Sequence, residues 1–276
     1  MTPPSLSGDR AIDGTALPRL LQLTDTHLMA SRGGRLLNVD TDASLAAVVA
    51  VAGRRAPADA VLITGDIAGD GAADAYSRLE QALEPLDTPS FWLPGNHDEV
   101  SALGGEFDRF FVRSLRFLRW DVVMLDTQVT GEVGGRLSDA EFAALSAALE
   151  RAQRDGKHLL VAMHHPLMPL DCDWLDPQRV ANAAEIFALF QSFSVRVTVV
   201  CGHVHQASDQ TLAGIRLLSA PSTSIQFAPK SAGFKVDTAS PGYRWLVLHD
   251  HGSVDTGVDR VEGIDFDVDV DSSGYL

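Results

Sequence analysis

The 276-residue chain is poor in cysteine, in positive charge and in long apolar runs, and each shortage excludes something. Cys172 and Cys201 are the only thiols, too few for a disulfide framework. Cys201 ends an apolar run, where a buried structural thiol is expected, and neither cysteine carries a functional expectation. Lysine and arginine number 22 against 37 acidic residues, a net charge of −15. Binding to a nucleic-acid backbone needs cations that neutralise phosphates, and no dense basic stripe occurs, so DNA and RNA are not expected partners. A small phosphate ester stays open, because a bound divalent ion reverses the field locally. The longest apolar stretch, LAAVVAVA from 45 to 52, is far too short to span a bilayer. The opening residues, MTPPSLSGDRAIDGTALP, contain no apolar signal region, so a cytoplasmic location with no membrane partner is expected. No linker, low-complexity tract or fixed-period repeat divides the chain. Residues 1–276 therefore read as one domain with flexible ends at 1–18 and 263–276. The tail DFDVDVD, 265 to 271, reads as a solvated end, with a weak cation site or an edge strand as alternatives.

What is present is the composition of a globular protein, 45% apolar and 21% charged, with short β-branched runs alternating with segments of helical period. That alternation predicts α/β layers. Strands are expected at 19–24, 60–65, 90–94, 121–127, 158–163, 196–201, 215–220 and 243–249, and helices at 41–54, 72–84, 138–154 and 179–193. Ser138 followed by Glu141 spells a capping box and marks the third helix start. Towards the C-terminus strands follow one another directly, which predicts a mixed sheet.

The polar residues suited to metal binding collect just after predicted strands. Asp25 and His27 follow the first, Asp66 and Asp70 the second, and Asn96, His97 and Asp98 the third; His164 and His165 follow HLLVAM, and His203 and His205 follow RVTVVC. Strand ends of α/β proteins converge on a crevice where ligands bind. Each piece alone is ordinary turn chemistry, Gly65-Asp66 above all. Six of the nine histidines nevertheless lie in these loops. Histidine and carboxylate without thiolate favour iron, manganese or zinc over copper or iron–sulfur chemistry.

In order, TDTHL, TGDIAGD, PGNHD, MHHP and CGHVH resemble the five-motif signature of calcineurin-like metallophosphoesterases. Further stretches, LDTQVTGEVGGRLS (125–138), CDWLDPQRVANA (172–183) and the segment from 220 to 249, are similar to the bacterial class III 3′,5′-cyclic-AMP phosphodiesterases. Where members of that group often carry cysteine after PST, this chain has Ser224. The resemblance implies an α/β fold of two mixed β-sheets packed as a sandwich with helices on the outer faces, four layers in all, and a dimetal site at the strand ends. It implies that Asp25, His27 and His205 bind one divalent ion and Asn96, His164 and His203 the other, with Asp66 bridging. The expected ions are iron, manganese or both, with zinc as the alternative. The implied reaction is hydrolysis of 3′,5′-cyclic AMP to 5′-AMP by in-line attack of a metal-bridging hydroxide, which would lower cellular cyclic AMP. His97 would act as acid on the leaving oxygen, oriented by Asp70 or Asp98, although Asp70 can also be read as a helix N-cap. His27, Asp66, Asn96, His97 and His205 would contact the substrate, and His165 would hydrogen-bond nearby. Phe227 and Phe234 read either as core or as walls for a purine. The alternatives are a broad phosphodiesterase acting on 2′,3′-cyclic nucleotides, glycerophosphodiesters or other small diesters, and more remotely a non-catalytic scaffold of the same fold. No apolar stripe chooses between monomer and homodimer.

Overall fold

A computed structural model describes residues 6–12, 17–55, 57–99, 103 and 105–274. All eight predicted strands and all four predicted helices recur in it, together with polar strands that periodicity does not reveal. One mixed sheet is seven-stranded, in the order β1 (Asp9–Ala11), β7 (Ser114–Arg116), β8 (Trp120–Met124), β9 (His158–Met163), β10 (Val197–Cys201), β12 (Ile215–Ser219) and β11 (Ser208–Leu212). The other is five-stranded, in the order β16 (Val254–Arg260), β15 (Gly242–Leu248), β2 (Arg19–Leu23), β5 (Ala60–Thr64) and β6 (Ser90–Leu93). Two small hairpins, β3 (Arg35–Leu36) with β4 (Val39–Asp40) and β13 (Gln226–Phe227) with β14 (Val236–Asp237), lie outside them.

Side-chain alternation in the larger sheet explains the layering. Val122, Met124, Leu160, Ala162, Val200 and Leu218 point into a core shared with Leu20 and Leu62 of the smaller sheet. Their neighbours Val123, Leu159, Val161, Val199 and Leu217 point the other way, to Leu145 and Leu149 of α3 (Asp139–Asp155) and Ile186 and Phe190 of α4 (Ala183–Gln191). Leu45, Val48 and Val49 of α1 (Thr41–Ala52) and Leu79 of α2 (Asp74–Leu83) pack with the shared core. Each such side chain contributes on the order of 1.5–3 kcal/mol when fully buried, so the sandwich is held mainly by apolar area. Among the described residues no helix is long and apolar enough to cross a membrane.

Local chemistry sets the boundaries. Ser138 Oγ accepts a hydrogen bond from Glu141 N at 3.3 Å and starts α3 as its sequence predicts. Glu141 turns its carboxylate inward, to Arg113 at 2.6 Å and to Asp126 N at 3.0 Å. Helix α4 begins at Ala183 and not at 179. The missing residues are taken up in docking: Val180 N bonds to Pro166 O, Ala181 N to Gly135 O, and the Asn182 amide clamps both N–H and C=O of Leu137 at 3.0 Å. Of the ends expected to be flexible, residues 1–5, 13–16 and 275–276 lie outside the described residues. Residues 9–11 form the edge strand β1, while Phe266 and Val268 pack on the core and Asp269 N bonds to Leu37 O at 3.0 Å.

Strands β2, β5 and β6 run parallel, as do β8, β9, β10 and β12, so in each group the carboxyl ends share one edge. The two edges are tied together at the crevice. Gln22 Nε2 donates to Thr64 Oγ1 of its own sheet at 3.0 Å and across the sandwich to Cys201 O at 2.9 Å. A Cβ at Gly202 would stand 2.1 Å from Thr24 Oγ1 and 2.9 Å from Asp25 Oδ2, so only glycine admits that approach.

Candidate metal centre

The five predicted loops meet at this edge. Asp25, His27, Asp66, His203 and His205 all adopt positive φ, between 43° and 69°, because the chain turns sharply off a strand and at once presents a side chain to the crevice. Such backbone costs on the order of 1–3 kcal/mol per residue and persists only where surrounding contacts hold it. Here they do: Asp25 N bonds to Gly65 O and His27 N to Asp66 O, both at 3.0 Å, while His203 N donates to the Asp25 carboxylate at 3.0 Å.

Two groups of donor atoms face each other. Asp25, His27 and His205 offer ligand atoms within 4.8 Å of one another, with His27 Nε2 3.2 Å from His205 Nε2 and His205 Nε2 3.4 Å from Asp25 Oδ1. Opposite, Asn96 Oδ1 lies 3.2 Å from His164 Nε2 and 3.0 Å from His203 Nδ1. Asp66 stands between, its Oδ2 3.7 Å from His27 Nε2 and 3.3 Å from His164 Nε2. All of these residues except Asn96 are buried.

Their hydrogen bonds decide what fits there. His205 Nδ1 lies 2.9 Å from Ile225 O and His164 Nδ1 2.8 Å from Thr64 O. A carbonyl can only accept, so each Nδ1 carries its proton and each neutral ring turns a lone pair at Nε2 into the crevice. Those lone pairs meet carboxylate, amide and imidazole acceptors, an arrangement stable only with a proton or cation between them. Burial alone would raise Asp66, but the charge of His164 and its bond outweigh it and hold the carboxyl well below the usual range. Asp25 is likewise lowered, burial being outweighed by His205. Conversely, burial would lower His164, yet Asp66 carries it up to about 9. Two buried carboxylates facing imidazoles thus create a field that attracts positive charge, and the donor set of Asp, Asn and His suits divalent ions.

Other predicted residues have different places. His97 is half-buried on the rim, its N–H donates to Asp66 Oδ1 at 3.0 Å, and its ring meets that of His27 edge-on at 5.1 Å. The Asp98 carboxylate accepts from Ile67 N, Ala68 N, Gly95 N and the Tyr76 hydroxyl, and so locks two loops together. Asp70 is exposed and accepts from Ala30 N at 2.9 Å and Ala72 N at 3.3 Å, a clip between loops, while the N-cap of α2 is Ala73, with no side-chain cap. Both His165 nitrogens are engaged by protein, Nδ1 with Thr127 Oγ1 at 2.7 Å and Nε2 with Val133 O at 3.0 Å. Phe227 is core, buried and stacked on the His205 ring at 4.2 Å, whereas Phe234 is half-buried. Ser224 Oγ donates to Asp25 O at 3.0 Å behind the site. Sequence reasoning missed Gln128, which ties Gly95 O and Asp98 O, and Gln178, which touches His203. No spacing signals either; only resemblance over 125–138 and 172–183 points to those segments.

Two mixed sheets with outer helices, and a crevice built by Asp, Asn and His from five strand ends, define a metallophosphoesterase fold. The chain belongs to the calcineurin-like phosphoesterase family, whose profile matches residues 18–207. Its similarities extend further. It is 39% identical over 272 residues, 98% of each chain, to a Pseudomonas aeruginosa protein named 3′,5′-cyclic adenosine monophosphate phosphodiesterase CpdA. It is 36% identical to the protein of that name from Escherichia coli K12, covering 95% of this chain and 96% of the relative. Among solved structures, a dimetal phosphatase from Danio rerio superposes with a TM-score of 0.60 at 15% identity, over 89% of this chain and 99% of that one. GAP50, described as the anchor in the inner membrane complex of Plasmodium, superposes with a TM-score of 0.63 at 12% identity, over 92% and 90%. At such identities the likeness is one of fold, and the fold alone does not specify an activity.

Proposed function

We propose that this chain hydrolyses 3′,5′-cyclic AMP to 5′-AMP at a two-ion centre and so lowers cellular cyclic AMP. The observation that carries the reading is similarity along nearly the whole chain to proteins named for that activity, well beyond the metal loops that any member of the fold shares. Asp25, His27 and His205 would hold one ion, Asn96, His164 and His203 the other, and Asp66 would bridge, as their mutual distances allow. Iron or manganese is the expected occupant, with zinc as the alternative. When bound, the ions supply Lewis-acid polarisation of the phosphate and make water acidic enough to attack at neutral pH.

The chain's own residues do the rest. Asp66, through the His97 N–H, sets the height of His97 on the rim. From there the His97 ring would hydrogen-bond the phosphate and deliver a proton to the departing ribose 3′ oxygen. His27, Asp66, Asn96 and His205 would border the same phosphate. Asp70 would act only through the loop it clips. A cytoplasmic setting suits the two buried free thiols. The test is turnover of 3′,5′-cyclic AMP, cyclic GMP and a 2′,3′-cyclic nucleotide, after chelation and add-back of Fe(II), Mn(II) or Zn(II). Cyclic AMP should be the preferred 3′,5′ substrate; poor turnover of it beside a rapidly cleaved 2′,3′ diester overturns the reading.

A further inference from the structure

Among the described residues, His164 and His165 are oriented by backbone carbonyls, whereas the ring nitrogens of His203 meet side-chain amides. His203 Nε2 lies 3.0 Å from Gln178 Oε1, and its Nδ1 lies 3.0 Å from Asn96 Oδ1. The amide of Gln178 is itself held: Nε2 donates to Trp174 O at 2.9 Å, which forces Oε1 towards His203. Both ring nitrogens thus face amide oxygens, and a neutral ring has one proton to give: with an ion on the Asn96 side, Nδ1 is the bare nitrogen and the proton on Nε2 goes to Gln178 Oε1. The backbone around Gln178 is equally fixed, with Gln178 N on Leu175 O at 2.9 Å and Gly135 N on Gln178 O at 3.4 Å. This turn, Asp176–Gln178, is the one that displaces the start of α4 to Ala183.

We propose that Gln178 is a positioning residue that fixes the His203 tautomer and ring angle, so that Nδ1 presents its lone pair to the ion held with Asn96 and His164. The inference rests on the two-ion reading. It assigns a purpose to the CDWLDPQRVANA segment that the metal loops leave unexplained: the segment holds the imidazole from outside, as groups hydrogen-bonded behind metal ligands do elsewhere. Among the described residues, the ring's other contacts are Asn96 Oδ1 at 3.0 Å and the rings of His164 and His165, at centroid distances of 5.1 Å and 4.7 Å.

The test uses metal-free full-length protein titrated with Mn(II) alone, with free ion read by electron paramagnetic resonance. Wild type should take two ions. Gln178→Leu should weaken one of the two about 10–100-fold and leave the other near wild type. Gln178→Glu keeps the acceptor but loses the bond to Trp174 O, and should bind both ions as wild type does. Imidazole 15N shifts of the metal-free protein should report a protonated Nε2 at His203 in wild type and in Gln178→Glu, and a mixed tautomer in Gln178→Leu. Fewer than two ions in wild type would overturn the two-ion reading itself. Two ions bound equally well by wild type and Gln178→Leu would overturn the role of Gln178 alone. Equal weakening of both sites in Gln178→Leu and Gln178→Glu would mark general loosening of the turn and would also overturn it.

Discussion

Asp66 and Asp98 lie 32 residues apart in sequence and at nearly equal depth, 1% and 2% exposed, yet their carboxyl pKa values are shifted in opposite directions. Asp98 is ringed by three backbone N–H groups and a tyrosine hydroxyl at 2.7–3.1 Å. Burial and the nearby charge of Asp66 nevertheless raise its pKa. Asp66 receives the His97 N–H on one oxygen and leaves the other against His27 and His164. A carboxylate completed by fixed donors has no capacity left for a ligand; one left facing imidazole nitrogens, whose proton an ion can replace, has. The difference separates the lock from the working site more clearly than residue type does, since both are aspartates in family motifs.

The largest expected effect breaks the comparison at Asp66. Asp66→Asn should remove the bridge between the two ions and lower kcat by roughly a thousandfold or more, on the scale of several kcal/mol of lost charge stabilisation. Its metal content should fall in the same preparation. Retention of both ions and of activity would contradict the bridging role. His97→Ala comes next, with a loss on the order of a hundredfold or more for cyclic AMP and metal content unchanged. The loss should shrink for an aryl phosphodiester, whose phenolate leaves without a proton; an equal loss on both substrates would refute the acid role.

Asp98→Asn should show the reverse pattern. Replacing one of its oxygens by a donor sets N–H against N–H, and unfolding in urea should reveal a loss of about 1–3 kcal/mol. Metal affinity should change far less than in Asp66→Asn. A stability loss larger in Asp66→Asn than in Asp98→Asn would invert the distinction drawn between them.

A pH profile of the metal-free protein sharpens it further. His164, carried by Asp66 up to about 9 in the fold from an ordinary 6.5, binds its proton more tightly folded than unfolded. Its contribution is therefore complete below 6.5 and is lost as pH rises through 9, with a slope of at most about 1.4 kcal/mol per pH unit. His27 and His165 behave oppositely: burial lowers each to about 3, so they remove stability as pH falls below 6.5. Metal-free protein should thus be most stable near the ordinary histidine pKa, and added Mn(II) should flatten the alkaline side by replacing the His164 proton. An alkaline limb that is flat without metal would show that Asp66 does not hold that proton.

Much of this was legible from the chain because function and fold share one signal here. Apolar β-branched runs mark the central strands, and the polar residues that end them are the ones the crevice collects. The strands that escaped notice are polar: SDQTL and VDTGVDR, now β11 and β16, lie at sheet edges with largely exposed or half-exposed side chains. Their state is set by the ladders to β12 and β15, which no local pattern encodes. The locking role of Asp98 and the clip made by Asp70 were equally hidden, because both depend on backbone amides brought together only by folding. Gln178 was invisible for the same reason, its meaning fixed by His203 in a distant loop.

The smallest effect tests whether completed groups tolerate loss. Behind the centre, the Asp25 carbonyl accepts from both Ser222 Oγ at 2.8 Å and Ser224 Oγ at 3.0 Å, and the two hydroxyls lie 2.9 Å apart. With two donors on one acceptor, Ser224→Cys weakens one bond and leaves the other. The cost should be about 1 kcal/mol or less, with activity near wild type. Ser224→Ala should behave alike, but the Ser222→Ala/Ser224→Ala pair strands a buried carbonyl at a residue already held at positive φ. Its loss should exceed the sum of the single changes, since the two hydroxyls share a partner. Strict additivity in urea unfolding would mean that the carbonyl of Asp25 is supported from elsewhere, and that the strained turn beneath the candidate metal centre does not depend on this serine pair.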